Sequence, residues 1–197
     1  MRQVASIVEG DGEVAALPVI LRRLNEWRTP EAVVNVLPPI RVYKDRFLNR
    51  PDEFSRHVLL AAGKCGDNGW ILIVLDADDD CPKIKSAEIL QRAQAIASHR
   101  DIAVVLANRE YEAWFIAAAG SLHGFRGFSC TLDDEQVDAE IYRNAKGWMR
   151  ERMSGGAYGE TTDQPAFSSK FDLATAYERS RSFRKLCDEW SRNAFPK

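Results

Sequence analysis

Apolar residues fall along this chain in short unbroken runs, separated by longer stretches with helical spacing. Residues 4–8, 70–75 and 102–107 are the runs, and they show almost no polar-apolar alternation. A strand of that kind is buried on both faces, as in a parallel sheet covered by helices. Between the runs, residues 14–27 carry Val14, Leu17, Ile20, Leu21 and Leu24. That stripe predicts a helix. Residues 52–64 repeat the pattern with Phe54, Val58, Leu59 and Ala62, and residues 82–100 with Ile84, Ile89, Leu90, Ala93 and Ile96. Residues 33–37 and 41–43 predict another strand, broken or bent at Pro38-Pro39. The β-α-β-α-β-α-β order implies parallel strands joined by right-handed crossovers, a Rossmann-like α/β fold.

After Gly120 the pattern loosens. Residues 124–127 and 154–159 are turn-rich, and residues 161–169 read as a loop. Residues 110–119, 134–153 and 171–190 read as helices. The expected organisation is one domain, with an α/β core over residues 1–119 and a helical C-terminal extension over residues 120–197.

Composition narrows the classes. A chain of 197 residues, 45% hydrophobic, has material for a full core. A net charge of −2 excludes a strongly basic nucleic-acid coat protein. It leaves room for an enzyme that grips nucleic acid through metal ions and a local basic strip. Cys65, Cys81, Cys130 and Cys187 are far apart with no CxxC pair, so they form no zinc framework and are expected as reduced thiols. No apolar run approaches the roughly 20 residues of a membrane span, and no signal-peptide core follows the N-terminus. The expectation is a soluble cytoplasmic protein.

The chemistry lies in two acidic turns, each directly behind an apolar run. They are Glu9-Gly10-Asp11-Gly12-Glu13 and Asp76-Ala77-Asp78-Asp79-Asp80. Parallel strands present their carboxyl ends along one edge, where ligands bind. Carboxylates crowded there repel unless protons or a cation intervene. A hard divalent cation such as Mg²⁺ (or Mn²⁺) suits such oxygens. The competing reading makes Glu9 and Glu13 ordinary helix-start acids, favoured by the helix dipole. It makes Asp79 and Asp80 solvated loop residues. An EF-hand fails, because Cys81 stands at its glycine position and Ala87 at its closing glutamate. A haloacid-dehalogenase phosphatase fails as well: Asp80 stands where that motif has Thr or Val, and the motif is on a later strand. His57, His99 and His123 are isolated, and Gly155-Gly156 lacks the Lys-Ser/Thr of a P-loop.

In order, Glu9 after the first strand and Asp76-Ala77-Asp78 after the third resemble the Toprim domain of topoisomerases, primases and OLD-family nucleases. A compact Toprim-like group, the DUF4276 type, resembles the chain more closely, because Glu110-Tyr111-Glu112-Ala113-Trp114 supplies its third element after the fourth strand. The resemblance implies a Mg²⁺ site on Glu9, Asp76 and Asp78, with Glu13 and Glu112 as further ligands. It implies phosphodiester hydrolysis in DNA or RNA and a partner ATPase of the ABC or AAA type in phage defence. The chain has no Walker motif of its own. Lys170 is the candidate for neutralising a phosphate oxygen, with Arg184 and Lys185 as alternatives. The competing class is a non-catalytic module that binds a nucleotide or a protein through the same fold.

Overall fold

The computed structural model describes residues 1–195; residues 196 and 197, the end of the expected extension, lie outside it. Five parallel strands form one sheet: β1 (Arg2–Val8), β2 (Val34–Val36), β3 (Ile40–Arg41), β4 (Gly69–Asp76) and β5 (Asp101–Ala107). Their order is β2-β1-β4-β5, with β3 also paired to β1. The expected break is present. Val36 pairs with Val4 and Ile40 with Ile7 on the same edge of β1. Between them Pro38 and Pro39 offer no N–H, so the ladder lapses and resumes.

Helix α1 (Asp11–Arg28) crosses from β1 to β2, α2 (Lys44–Asn49) and α3 (Pro51–Cys65) lead to β4, and α4 (Pro82–Ile96) leads to β5. Pro51 and Pro82 open their helices, where a missing N–H costs nothing. β4 shows why the apolar runs do not alternate. Ile71, Ile73 and Leu75 pack with Phe54, Val58, Ile89 and Ala93 on one face. Trp70, Leu72 and Val74 pack with α1 and the C-terminal helices on the other.

Among the described residues six α-helices follow β5: α5 (Ala113–Ala117), α6 (Leu132–Gln136), α7 (Ala145–Glu151), α8 (Asp163–Lys170), α9 (Leu173–Arg179) and α10 (Arg181–Asn193). Three sequence expectations change here. Residues 134–153 form two short helices, because Thr131 and Asp134 cap the start of α6 and Asn144 separately caps α7. Residues 171–190 break at Ser180, whose hydroxyl accepts the Phe183 N–H and starts α10. Residues 161–169 are mostly helical. Phe167 and Ser168 are buried, and Arg23 of α1 donates to the carbonyls of Ser168 and Phe171, both at 2.8 Å. Tertiary contact, not local propensity, makes that helix.

These helices share the core of the sheet. The Trp190 ring meets Trp70 edge-on at 5.5 Å, and its Nε1 donates to Thr29 Oγ1 at 2.8 Å. Phe167, Phe171 and Phe183 are fully buried, each contributing about 1.5–3 kcal/mol of hydrophobic stabilisation. Among the described residues, no helix is long and apolar enough to cross a membrane.

Candidate functional site

The carboxyl edge of the sheet gathers acids from three strand ends. Glu9 follows β1 and is half-buried, Glu13 lies buried in the first turn of α1, and Asp76 ends β4. Past β5, Arg109 takes a left-handed φ of 68° and turns the chain, so that buried Tyr111 and Glu112 face inward. The backbone N–H of Tyr111 donates to Asp76 Oδ1 at 2.8 Å. Glu112 is 0% exposed, and its Oε1 accepts from Tyr158 Oη and Gln164 Nε2, both at 3.1 Å. The same Gln164 amide reaches Glu13 Oε1 at 3.3 Å and so ties two carboxylates together.

Four other oxygens of this group lack partners among the described residues. Glu9 Oε2, Glu13 Oε2, Glu112 Oε2 and Gln164 Oε1 are buried without a hydrogen-bond donor among the described residues. A buried acceptor left unpaired costs about 1–3 kcal/mol, so several together mark a place awaiting a positive or proton-bearing group. Two glycines make the crowding possible. A Cβ on Gly10 would strike Glu13 Oε2, and one on Gly12 would strike the Gln164 side chain.

Electrostatics follow from this burial. Desolvation raises Asp76 well above the ordinary carboxylate range, and Glu112 and Glu13 add to it. Glu112 is pushed up to about 7, again by burial first, with Lys146 pulling against the rise. Glu9 is raised by burial, offset by Lys44 and reinforced by Asp78 and Glu13. Lys146, the second residue of α7, is held above its ordinary value. Burial lowers it, but Glu112, Asp76, Glu160 and Glu13 outweigh that.

The predicted residues therefore fall into three places. Glu13, Asp76 and Glu112 lie inside the group, with Glu9 beside them. Asp78 sits at the mouth: its φ of 49° forms the turn, and its carboxylate is 67% exposed and paired with Lys44. Lys170 is not brought in. It is exposed at the far end of α8, six residues and about 9 Å along the helix from Gln164. Arg184 and Lys185 lie on α10, bonded to Tyr177 and Glu189. Asp79 pairs with Arg109 and Arg143, and Glu110 accepts the Lys146 N–H, which makes both of them structural acids.

Sequence reasoning missed Lys44, Lys146, Tyr158 and Gln164. Lys44 directly follows the second half of the broken strand, so its place at the sheet edge could have been read. Nothing local marks the other three, which come from the segment after residue 120.

Oxygen donors of this kind fit a hard cation, and Glu9, Glu13, Asp76 and Glu112 could hold one. Among the described residues, however, no three His, Cys, Asp or Glu side chains already stand close enough to form a coordination sphere. A family described as a domain of unknown function, DUF4276, matches residues 8–190. The chain belongs to the DUF4276 family. No curated protein and no solved structure matches it. The DUF4276 match runs from the end of β1 into α10, so it spans Glu9, Asp76 and Glu112 as well as Lys146, Tyr158 and Gln164.

Proposed function

We propose that this DUF4276 protein is a Mg²⁺- or Mn²⁺-dependent phosphodiesterase that cleaves DNA or RNA, with a Toprim-like site. One observation carries the reading: among the described residues, Glu9, Glu13 and Glu112 each bury an oxygen without a donor, beside Asp76 at the carboxyl edge of the sheet. The order of acidic elements, with its Toprim resemblance, supports the same reading. When bound, the ion would activate water and stabilise the leaving oxygen of a phosphodiester. Asp76 and Glu112 would hold it from within, Glu9 and Glu13 from the side of β1, and Asp78 from the mouth. Gln164 and Tyr158 fix Glu112 in place. Lys146 and Lys44 lie where a substrate phosphate would need positive charge. The resemblance also makes a cytoplasmic setting and an ABC- or AAA-type ATPase partner part of the proposal.

The non-catalytic reading keeps the fold and uses the pocket to bind a nucleotide or a protein. It is favoured by Lys44 and Lys146, which already lend positive charge to the acids. An assay separates the two. Single- and double-stranded DNA and RNA are incubated with the protein in Mg²⁺, Mn²⁺ or EDTA, alone and with an ATPase encoded beside it. Metal-dependent cleavage is expected, and Asp76→Ala should lower it by about 10²–10³-fold. Cleavage that is unchanged in Asp76→Ala removes the site from the reaction. No cleavage under any condition favours the binding module.

A further inference from the structure

On the opposite flank from β2, the sheet ends in β5, and nothing pairs with its outer edge among the described residues. The register fixes which groups point outward. The Ala107 carbonyl accepts from Ala77 N at 2.9 Å, so Ala107 turns its backbone toward β4. Parallel strands alternate in this respect. Ala103 and Val105 therefore also face β4, while Ile102, Val104 and Leu106 aim their N–H and C=O groups away from it.

Those groups open into a cavity of about 890 Å³ between α4 and α10. Its two walls differ. The α4 wall sets Pro82, Ala87 and Leu90 among Lys83, Ser86 and Gln94, whereas the α10 wall presents three cations, Arg181, Lys185 and Arg192, around Glu189. Lys185 and Arg192 both bond the single Oε1 of Glu189, each at 2.6 Å, so that carboxylate carries two cations. Lys83 adds an exposed cation on the α4 side. Over the whole lining, Lys83, Arg100, Arg181, Lys185 and Arg192 face Asp101, Glu140 and Glu189, an excess of two positive charges.

We infer that this cleft takes an extended acidic peptide segment of a partner protein, which adds to β5 as a sixth strand. Such a segment satisfies the free backbone groups, as strand addition does at other sheet edges. Its side chains alternate between the two walls. Those continuing the Val104 and Leu106 row meet the apolar patch of Pro82, Ala87 and Leu90 on the α4 wall, and those continuing the Ala103 and Val105 row meet the cations of α10. The bound sequence therefore alternates acidic with apolar residues.

A second copy of this chain fits poorly. Val104 and Leu106 are 4% exposed, so the edge lies at the bottom of the cleft, and an equally recessed edge cannot reach it. Two such copies would also oppose positive linings. A nucleic-acid strand would find the cations but could not pair with the strand edge.

The test is to pan a random-peptide display library on the full chain in EDTA, which leaves the carboxylate pocket out of play. Enriched peptides should alternate acidic and apolar residues and slow amide exchange at Ile102, Val104 and Leu106. The double variant Lys185→Glu/Arg192→Glu, on exposed positions, should bind them about tenfold or more weakly. Folding of the variant is checked by its melting curve. If it unfolds, Lys83→Glu and high salt give the same reading without touching α10. Three results would overturn the inference. The first is no enrichment, or peptides indifferent to charge reversal. The second is exchange protection outside β5. The third is protection of the same amides by self-association or by an oligonucleotide.

Discussion

Two buried glutamates in this molecule have opposite surroundings. Glu140, in the connection between α6 and α7, is 7% exposed, and Glu112, past β5, is 0% exposed. Glu140 is fully paired: Oε1 accepts from Ser180 Oγ at 3.0 Å and Ser182 N at 2.9 Å. Its Oε2 accepts from Arg181 Nε at 3.0 Å and Asn108 Nδ2 at 3.2 Å. Burial pushes this carboxyl up, yet the Ser182 N–H, Arg181, Asn108 and Ser180 together hold it below the ordinary range. Glu112 has two donors on one oxygen and, among the described residues, none on the other. Burial wins there, and the carboxyl rises to about 7. Burial alone thus does not mark a functional acid. The number of donors turned toward each acid separates the two: Glu140 is a fastener between the end of β5 and α10, while Glu112 keeps one oxygen without a donor among the described residues, as the proposed ion site requires.

The strongest way to break that contrast is to remove each acid in turn. Glu140→Ala leaves the Ser182 N–H, the Ser180 hydroxyl and the Asn108 amide without their acceptor. Urea unfolding should show a loss of about 2–4 kcal/mol. Unchanged stability would mean that water replaces the carboxylate and that the fastener role is wrong. Glu112→Gln should act in the other direction. With Glu112 at about 7 against 4.5 in an ordinary setting, its ionisation opposes folding by at most roughly 3 kcal/mol above pH 7. In EDTA at pH 8 the variant should therefore be as stable as the parent or more so. A clear loss would make Glu112 structural, like Glu140.

Titration sharpens the same comparison. Because the Glu112 value is raised in the folded state, its contribution is fully present below 4.5 and is lost as pH climbs through about 7. Glu140 is lowered, so its contribution is present above the ordinary value and is lost as pH falls through the folded one. Melting curves in EDTA should show little gap between the parent and Glu112→Gln at pH 5 and a larger one at pH 8. A gap independent of pH would refute the account. On the proposed function, Mg²⁺ would compete with protons for the same oxygens. Its stabilisation, about 2.7 kcal/mol at one hundred times its Kd, should therefore be greater at pH 8 than at pH 6. The opposite pH trend would separate the ion from these carboxylates.

The α/β half of the molecule was legible because its signals are local. Unbroken apolar runs gave the doubly covered strands, Pro38-Pro39 gave the divided edge strand, and strand ends located Glu9, Asp76 and Glu112. The segment after residue 120 was much less legible. Its helices are five to thirteen residues long, too short to form without tertiary contact. Thr161-Thr162 and Ser168-Ser169 suggest a loop, yet α8 is held there by Phe167 in the core and by Arg23 across its end. That helix carries Gln164, and the loop before it carries Tyr158, so the inner wall of the site was hidden along with the fold. Asp76 and Asp78 show a finer limit. Their spacing implied a turn, but not that the turn would aim one carboxylate inward and the other at Lys44.

The smallest expected effect tests which lysine belongs with Glu112. The sequence reading offered Lys170 as the cation for a phosphate oxygen, whereas the fold sets it exposed at the end of α8 and brings Lys146 among the acids instead. Lys170→Ala should leave stability within about 0.5 kcal/mol and should not move the Glu112 titration. Lys146 pulls the Glu112 carboxyl down against the effect of burial. Removing that charge with Lys146→Met should therefore let Glu112 titrate above about 7, which NMR of the side-chain carboxyl can follow. A Glu112 titration that responds to Lys170 and not to Lys146 would reverse the assignment. It would also place α8 differently against the sheet edge, since one packing of that helix cannot bring both Gln164 and Lys170 to Glu112.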